Sequence, residues 1–192
     1  MKVEIRPQRV YDAKRFFEIL SNPHFKYFPA KPNTIEEERK FLRLNRDKLK
    51  AKTEFNFSII FDEKHVGGIG VRIDQHRTYI GEVGFFVDEH YWGKGIASIA
   101  LEQLEDFITS NIKLKRIEIR MAKENRASQK IAIKSGYKKE GVLRQMLLVE
   151  DKWYDCYLLK FKSHRPDEIS ATEISLGRQS REVRRENLIR HK

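Results

Sequence analysis

Glycines 93 and 95 flank Lys94 in the run Asp88-Glu89-His90-Tyr91-Trp92-Gly93-Lys94-Gly95-Ile96-Ala97, where a strand-like segment gives way to a helix-like one. Such a turn presents the first helical amides, which lack intrahelical acceptors, together with the positive end of the helix dipole. Glycine admits backbone conformations that a Cβ resists and lets an anion come close to those amides. Phosphate binding is the chemistry this turn can do, and a plain strand-to-helix turn is the alternative. Two nucleotide signatures fail. A P-loop would need glycine where Asp88 stands and Ser or Thr where Gly95 follows Lys94. A dinucleotide fingerprint would need Gly or Ala where Ser98 stands. A second group, Asn125 and Ser128, opens another helix, where simple capping would also account for it. Cys156 could act as a nucleophile, but a single cysteine in a strand is ordinarily core packing.

These groups are positioned by a recognisable series of elements. A short strand around residues 2–6 precedes a helix with Asp12 as N-cap and Ala13, Phe16, Phe17 and Leu20 at helical spacing. Pro29 and Pro32 mark a loop. Thr34 and Glu37 then form a capping-box pattern at the head of a charged helix carrying Phe41, Leu42 and Leu49. Phe55, Phe57, Ile59 and Phe61 alternate along a strand, turn at Asp62-Glu63-Lys64, and resume with Ile69, Val71 and Ile73, which predicts an antiparallel hairpin. A strand over 80–87, a helix carrying Ile96, Ala100, Leu104, Phe107 and Ile108, and a strand with Ile117, Ile119 and Met121 make a βαβ unit with parallel strands. A helix over 126–135 closes on Gly136, and strands over 137–149 and 152–161 finish the globular part.

Composition restricts the partners. The chain of 192 residues suits one domain, expected over 1–162, followed by a basic polar tail over 163–192 with Arg178, Arg181, Arg184, Arg185 and Arg190. A net charge of +11 favours anionic ligands: nucleic acid, a ribosome surface or a phosphorylated cofactor. The lone cysteine excludes disulfides and Cys-rich zinc sites, so no metal is expected. Neither a membrane-length apolar run nor a signal-peptide pattern is present, and a cytoplasmic, soluble protein is expected.

The run Glu82-Val83-Gly84-Phe85-Phe86-Val87 followed by Tyr91-Trp92-Gly93-Lys94-Gly95-Ile96-Ala97 resembles the acetyl-CoA motif of the GNAT acetyltransferases, Q/R-x-x-G-x-G/A, with Trp92 in place of the first Gln or Arg. Asn125-Arg126-Ala127-Ser128 and Lys134-Ser135-Gly136-Tyr137 are similar to the N-x-x-S and K-x-G-F segments of the branch that acetylates protein N-termini, the RimJ and RimL type. The resemblance covers about residues 3–161 and is strongest from Glu82 to Tyr137. It implies a mixed α/β, or α+β, fold: a mixed six- to seven-stranded sheet flanked by about four helices, with a V-shaped splay between two parallel strands. It also implies that the pantetheine arm of acetyl-CoA lies in the splay against the backbone of Phe86 and Val87. The amides of Gly93, Lys94, Gly95, Ile96 and Ala97, beside Trp92, would hold the pyrophosphate. Asn125 would bind the arm, and Ser128 would sit near the sulfur.

Acyl transfer from a thioester to an amine needs a neutral amine, a polarised carbonyl and a way to release thiolate. An α-amino group, pKa about 8, needs far less help at neutral pH than a lysine near 10.4. Glu82 is the expected base, directly or through water, with His90 a weaker candidate. The tyrosine that many members place on the helix after the Asn motif is replaced near Ala132, so Ser128, Tyr157 or water is the expected acid. Trp153, Tyr154 and otherwise Tyr157 are expected to shape the substrate cleft or the core, and the Val87 amide to polarise the carbonyl. The expected acceptor is a protein N-terminus, ribosomal-protein-like, on a monomer or homodimer, with ribosome or RNA contact through the tail. Three alternatives stand beside this: a small-amine acceptor, a non-catalytic acetyl-CoA-binding or ribosome-associated module, and a nucleic-acid binder whose glycine turn holds backbone phosphate.

Overall fold

The structure, a computed structural model, describes residues 2–28 and 31–161. The expected tail, 163–192, lies outside the described residues. The elements are β1 (Val3–Pro7), α1 (Ala13–Leu20), α2 (Ile35–Lys50), β2 (Glu54–Phe61), β3 (Lys64–Ile73), β4 (Ile80–Val87), α3 (Ile96–Phe107), β5 (Arg116–Ala122), α4 (Arg126–Lys134), β6 (Tyr137–Val149) and β7 (Lys152–Phe161). The strands form one sheet of seven in the order β1-β2-β3-β4-β5-β7-β6, in which β4 and β5 are parallel and every other neighbouring pair is antiparallel.

Alternation along the strands gives the sheet two unlike faces. On one, Phe55, Ile59, Ile69, Val71, Val83, Val87, Ile117, Ile119 and Met121 bury themselves against Ile96, Ala100, Leu101 and Leu104 of α3 and Ala132 of α4. On the other, Ala13 and Phe16 of α1 and Leu42 of α2 form a second cluster, which Ile35 and Phe86 join. Gly68 permits this second layer: a Cβ there would stand 2.9 Å from the Phe86 ring and 3.1 Å from Phe16. The β2–β3 turn rests on Asp62 and Glu63, both with positive φ, the conformation a two-residue hairpin needs to match strand twist.

Two local expectations change. Asp12 does not cap α1. Its buried carboxylate instead accepts from the Arg6 guanidinium (2.6 and 2.8 Å), the Arg9 amide (2.9 Å) and the Ser58 hydroxyl (2.8 Å), tying α1 to β1 and β2. Thr34 accepts from the Glu37 amide as a cap should (3.1 Å), but Glu37 reaches back to the Asn33 amide (2.7 Å) rather than to Thr34.

The parallel ladder between β4 and β5 is short. It pairs Ile80 with Arg116, Gly81 with Ile117 and Glu82 with Glu118, and goes no further. Beyond that rung β4 stays paired to β3 as far as Val87, while β5 stays paired to β7 as far as Ala122. Each strand is therefore held on its outer side while the inner edges separate, and a wedge opens toward their C-terminal ends.

Candidate active site

The wedge leads directly to the glycine turn. Asp88 closes β4 by donating its amide to the Val66 carbonyl (2.7 Å), and its side chain accepts from the His90 amide (3.1 Å) and pairs with Arg15 and the His90 ring. Burial alone would raise the Asp88 carboxyl, but the His90 and Arg15 contacts bring it below the usual carboxylate range. Trp92 then folds back, its indole N–H donating to the Val87 carbonyl (2.5 Å). Gly93 and Gly95 both have φ +75°, a left-handed conformation costly for any residue with a Cβ. Space beside each is open to 4 Å. Among the described residues, none of the amides from Gly93 to Ala97 finds an acceptor, and Gly95 caps α3 without a side chain. The Lys94 ammonium lies 4.9 Å from the Tyr91 ring centroid. Backbone donors, the helix dipole and a cation converge here, which fits a pyrophosphate.

The remaining expected residues fall around the wedge in two groups. Phe86 and Val87 occupy the unpaired edge of β4. Asn125 caps α4, its side chain accepting from the Ser128 amide (3.2 Å), and so performs the capping role whatever else it does. Gln129 donates to the Ala122 and Lys123 carbonyls and fixes α4 to the end of β5. Tyr157 pairs with Met121 and packs on the α3 face, where the Lys139 ammonium lies 3.7 Å from its ring centroid. Ser128 and Tyr157 thus belong to the open, β5 side. Glu82 stands apart from them at the closed end and on the opposite, α1–α2 face. Its Oε2 accepts from Arg72 (3.1 Å) and faces Arg120 (3.7 Å). Cys156 is buried, and burial, then the nearby carboxylates, push its thiol up, which suits packing rather than nucleophilic attack.

An aromatic layer covers the α1–α2 side of the wedge. Phe16, Phe25 and Phe28 all pack edge-on against Phe86, Phe25 also touches Trp92, and Tyr27 packs against Tyr154 of β7. Glu89 fastens this segment by accepting from Asn22 (2.6 Å) and pairing with His24. Gly84, in the middle of β4, is exposed, with nothing within 4 Å of where a Cβ would be. The segment around Phe25 carries no motif by which sequence alone would place it here. Glu38 of α2, 6% exposed, is a second residue missed. Its spacing from Ile35 and Leu42, three and four residues, puts it on the apolar stripe of its helix, and that was the available signal.

This wedge and amide cradle define an acyl-CoA-dependent transferase of the GNAT type. The Acetyltransferase (GNAT) domain family matches residues 2–138, and the chain belongs to that family of N-acetyltransferases. The chain is similar to the probable N-acetyltransferase YjcK of Bacillus subtilis, 28% identical over 166 residues, covering 82% of this chain and 92% of that protein. It is also similar to the ribosomal-protein-serine acetyltransferase of Escherichia coli, 28% identical over 102 residues, 53% of this chain and 57% of that one. Among solved structures, Mycobacterium smegmatis RimJ in complex with CoA-disulfide superposes with a TM-score of 0.78 at 23% identity, covering 93% of this chain and 90% of that one.

Proposed function

We propose that the protein moves the acetyl group of acetyl-CoA to the α-amino group of a protein N-terminus, with ribosomal proteins as the acceptor class. The observation that carries this reading is the unpaired edge of β4 running from Glu82 to the free amides of the glycine turn. The ribosomal-protein-serine acetyltransferase among the relatives supports the choice of acceptor, and so does charge: a molecule of +11 repels polyamines more than it repels a peptide terminus.

Bound acetyl-CoA supplies an activated acyl group and a thiolate leaving group. The chain does the rest. The amides of Gly93 to Ala97, with Lys94, hold the pyrophosphate, and Trp92 keeps the turn in place through the Val87 carbonyl. The backbone of Phe86 and Val87 orients the pantetheine arm, with the Val87 amide aimed at the thioester carbonyl. Asn125 flanks the arm. Ser128 or Tyr157 delivers a proton to the departing sulfur from the β5 side. Glu82, which accepts from Arg72 and faces Arg120, serves as the base for the amine, directly or through water. The basic tail adds ribosome or RNA contact. Incubation with acetyl-CoA and a peptide library, followed by mass spectrometry, tests the assignment. Acetyl groups on N-termini are expected, and acetylation confined to lysine side chains would overturn the choice of acceptor.

A further inference from the structure

The place where β4 and β5 part holds more hydrogen-bond donors than its carboxylates use. Arg72 donates to Glu82 (3.1 Å), Arg116 closes on both Glu118 and Glu140, and Lys160 stands 3.9 Å from Glu140. Each carboxylate thus has a cation without Arg120, which is the surplus one. Its Nη2 donates to Glu118 at 3.3 Å. Its Nη1 stands 3.7 Å from Glu82 Oε2 and, among the described residues, makes no hydrogen bond. Its Nε is buried without a partner.

The strands themselves fix where this side chain lies. Glu82 and Glu118 are the last pair of the parallel ladder, and Arg120 comes two residues later, on the stretch of β5 that has left β4 but still pairs with Leu158 of β7. Alternation puts it on the same face as Glu118, and the 3.7 Å approach puts it on the same face as Glu82. Two residues beyond Glu82, β4 presents Gly84, exposed and without a side chain. Glu82 and Arg120 therefore set an acceptor beside a donor at the apex of the wedge, and the two side chains remain 28% and 27% exposed.

We propose that Arg120 determines acceptor specificity by reading the main chain of the incoming peptide, its guanidinium donating to the carbonyl oxygen of the first residue while Glu82 receives the α-amino group. This rests on the acetyltransferase reading above, with Glu82 as base. In an N-terminus one Cα joins the two groups, so bond lengths alone keep the nitrogen within about 4 Å of that oxygen, a spacing the Glu82–Arg120 pair matches. A lysine amine is separated from its own carbonyl by four methylenes and cannot reach both partners at once. The contact is with the main chain, so it favours N-termini over lysine without selecting the first side chain. A guanidinium suits the task because it stays charged and carries five donors, of which the carboxylates here leave some unused.

Arg120→Met tests this with two acceptors on the same preparation: a short peptide with a free N-terminus, and an alkylamine of similar size that lacks the carbonyl. Wild type should prefer the peptide. Arg120→Met should lower kcat/KM for the peptide about ten- to a hundredfold, as expected for a lost hydrogen bond from a charged group, and mainly by raising KM. The alkylamine rate should change less than threefold, and CoA affinity measured by calorimetry should stay the same. If the single variant does not fold, the Glu118→Gln, Arg120→Met double variant, compared with Glu118→Gln, carries the same comparison with the buried carboxylate removed. An equal loss on both acceptors, or a lower CoA affinity, would make Arg120 a counter-charge only and overturn the inference. So would an unchanged peptide KM, and in each case the acetyltransferase reading would stand. A wild-type protein that acetylates no N-terminus would overturn both.

Discussion

Glu82 and Glu118 face each other across the last rung of the parallel ladder, and the strands separate from the next residue onward. Two like charges side by side on neighbouring strands repel. Guanidinium groups offset this: Arg72 binds Glu82, Arg116 binds Glu118, and Arg120 touches both carboxylates, at 3.3 Å from Glu118 and 3.7 Å from Glu82. The junction where the wedge begins is therefore a polar seam across β3, β4 and β5.

Arg120 should be the residue on which this seam depends, because among the described residues it alone bridges the facing pair. Arg120→Met is expected to destabilise the protein by about 1–3 kcal/mol, below the value for a fully buried pair because the side chain is 27% exposed. Urea unfolding measures the loss. Adding Glu118→Gln should recover part of it, giving a double-mutant coupling. An Arg120→Met midpoint equal to wild type would mean that the carboxylates need no shared counter-charge.

Gly84 separates folding from function. Its backbone is extended and a Cβ would meet nothing, so Gly84→Val should leave stability unchanged or raise it by up to about 1 kcal/mol through strand propensity. The same isopropyl group would narrow the open space on β4 beside which the proposed pantetheine arm lies. Acetyl transfer should fall more than tenfold in a protein whose melting temperature has not fallen. Full activity in Gly84→Val would show that the reacting groups meet elsewhere.

Local signals made most of this architecture legible. Alternation and turn residues give β4, β6 and β7 the bounds the structure has, and the glycine turn is readable because a left-handed backbone is a demand that a single residue type meets. The point where β4 leaves β5 was not readable to the residue. It depends on which strand each edge prefers, and β3 and β7 compete for β4 and β5 from distant parts of the chain. Asp12 was misplaced for the same reason: a capping rule sees only the next turn, while Arg6 and Ser58 arrive from β1 and β2. Glu38 was hidden by its company, since a helix beginning Ile-Glu-Glu-Glu-Arg-Lys looks solvated until its apolar stripe is traced.

The glycine turn should fail in two separable ways. Gly95→Ala forces a Cβ into a φ of +75°, costing about 1 kcal/mol of stability, and tilts the amides that converge on the anion. CoA affinity measured by calorimetry should drop at least tenfold. Lys94→Ala leaves the backbone alone and removes one charge, so it should weaken binding at low salt and have less effect at high salt. If neither variant changed CoA affinity, the pyrophosphate would have to sit away from this turn.

Glu105 of α3 lies 9% exposed against the buried Tyr137, and it sets the sign of a pH effect on stability. Burial, reinforced by Glu102 and Asp106 and partly offset by the Tyr137 hydroxyl, pushes the Glu105 carboxyl up to about 7, and burial raises Tyr137 as well. The unfolded chain releases this proton near the ordinary value of 4.5, whereas the folded protein keeps it until about 7. Between those limits the native state binds more protons, so this group's contribution to stability falls as pH rises and is flat above 7. Glu38 acts in the same window and direction. His65 acts oppositely, since burial lowers it and its contribution grows as pH rises toward 6.5. Asp12 and Asp88, both lowered, act only in more acidic solution. Glu105→Gln isolates the effect, because the amide can face Tyr137 at every pH without ionising. The variant should match wild type near pH 5 and exceed it near pH 7.5 by up to about 3 kcal/mol. Paired melting curves across that range measure the difference, and a gap that stayed constant with pH would show that Glu105 ionises in the folded protein as it does in water.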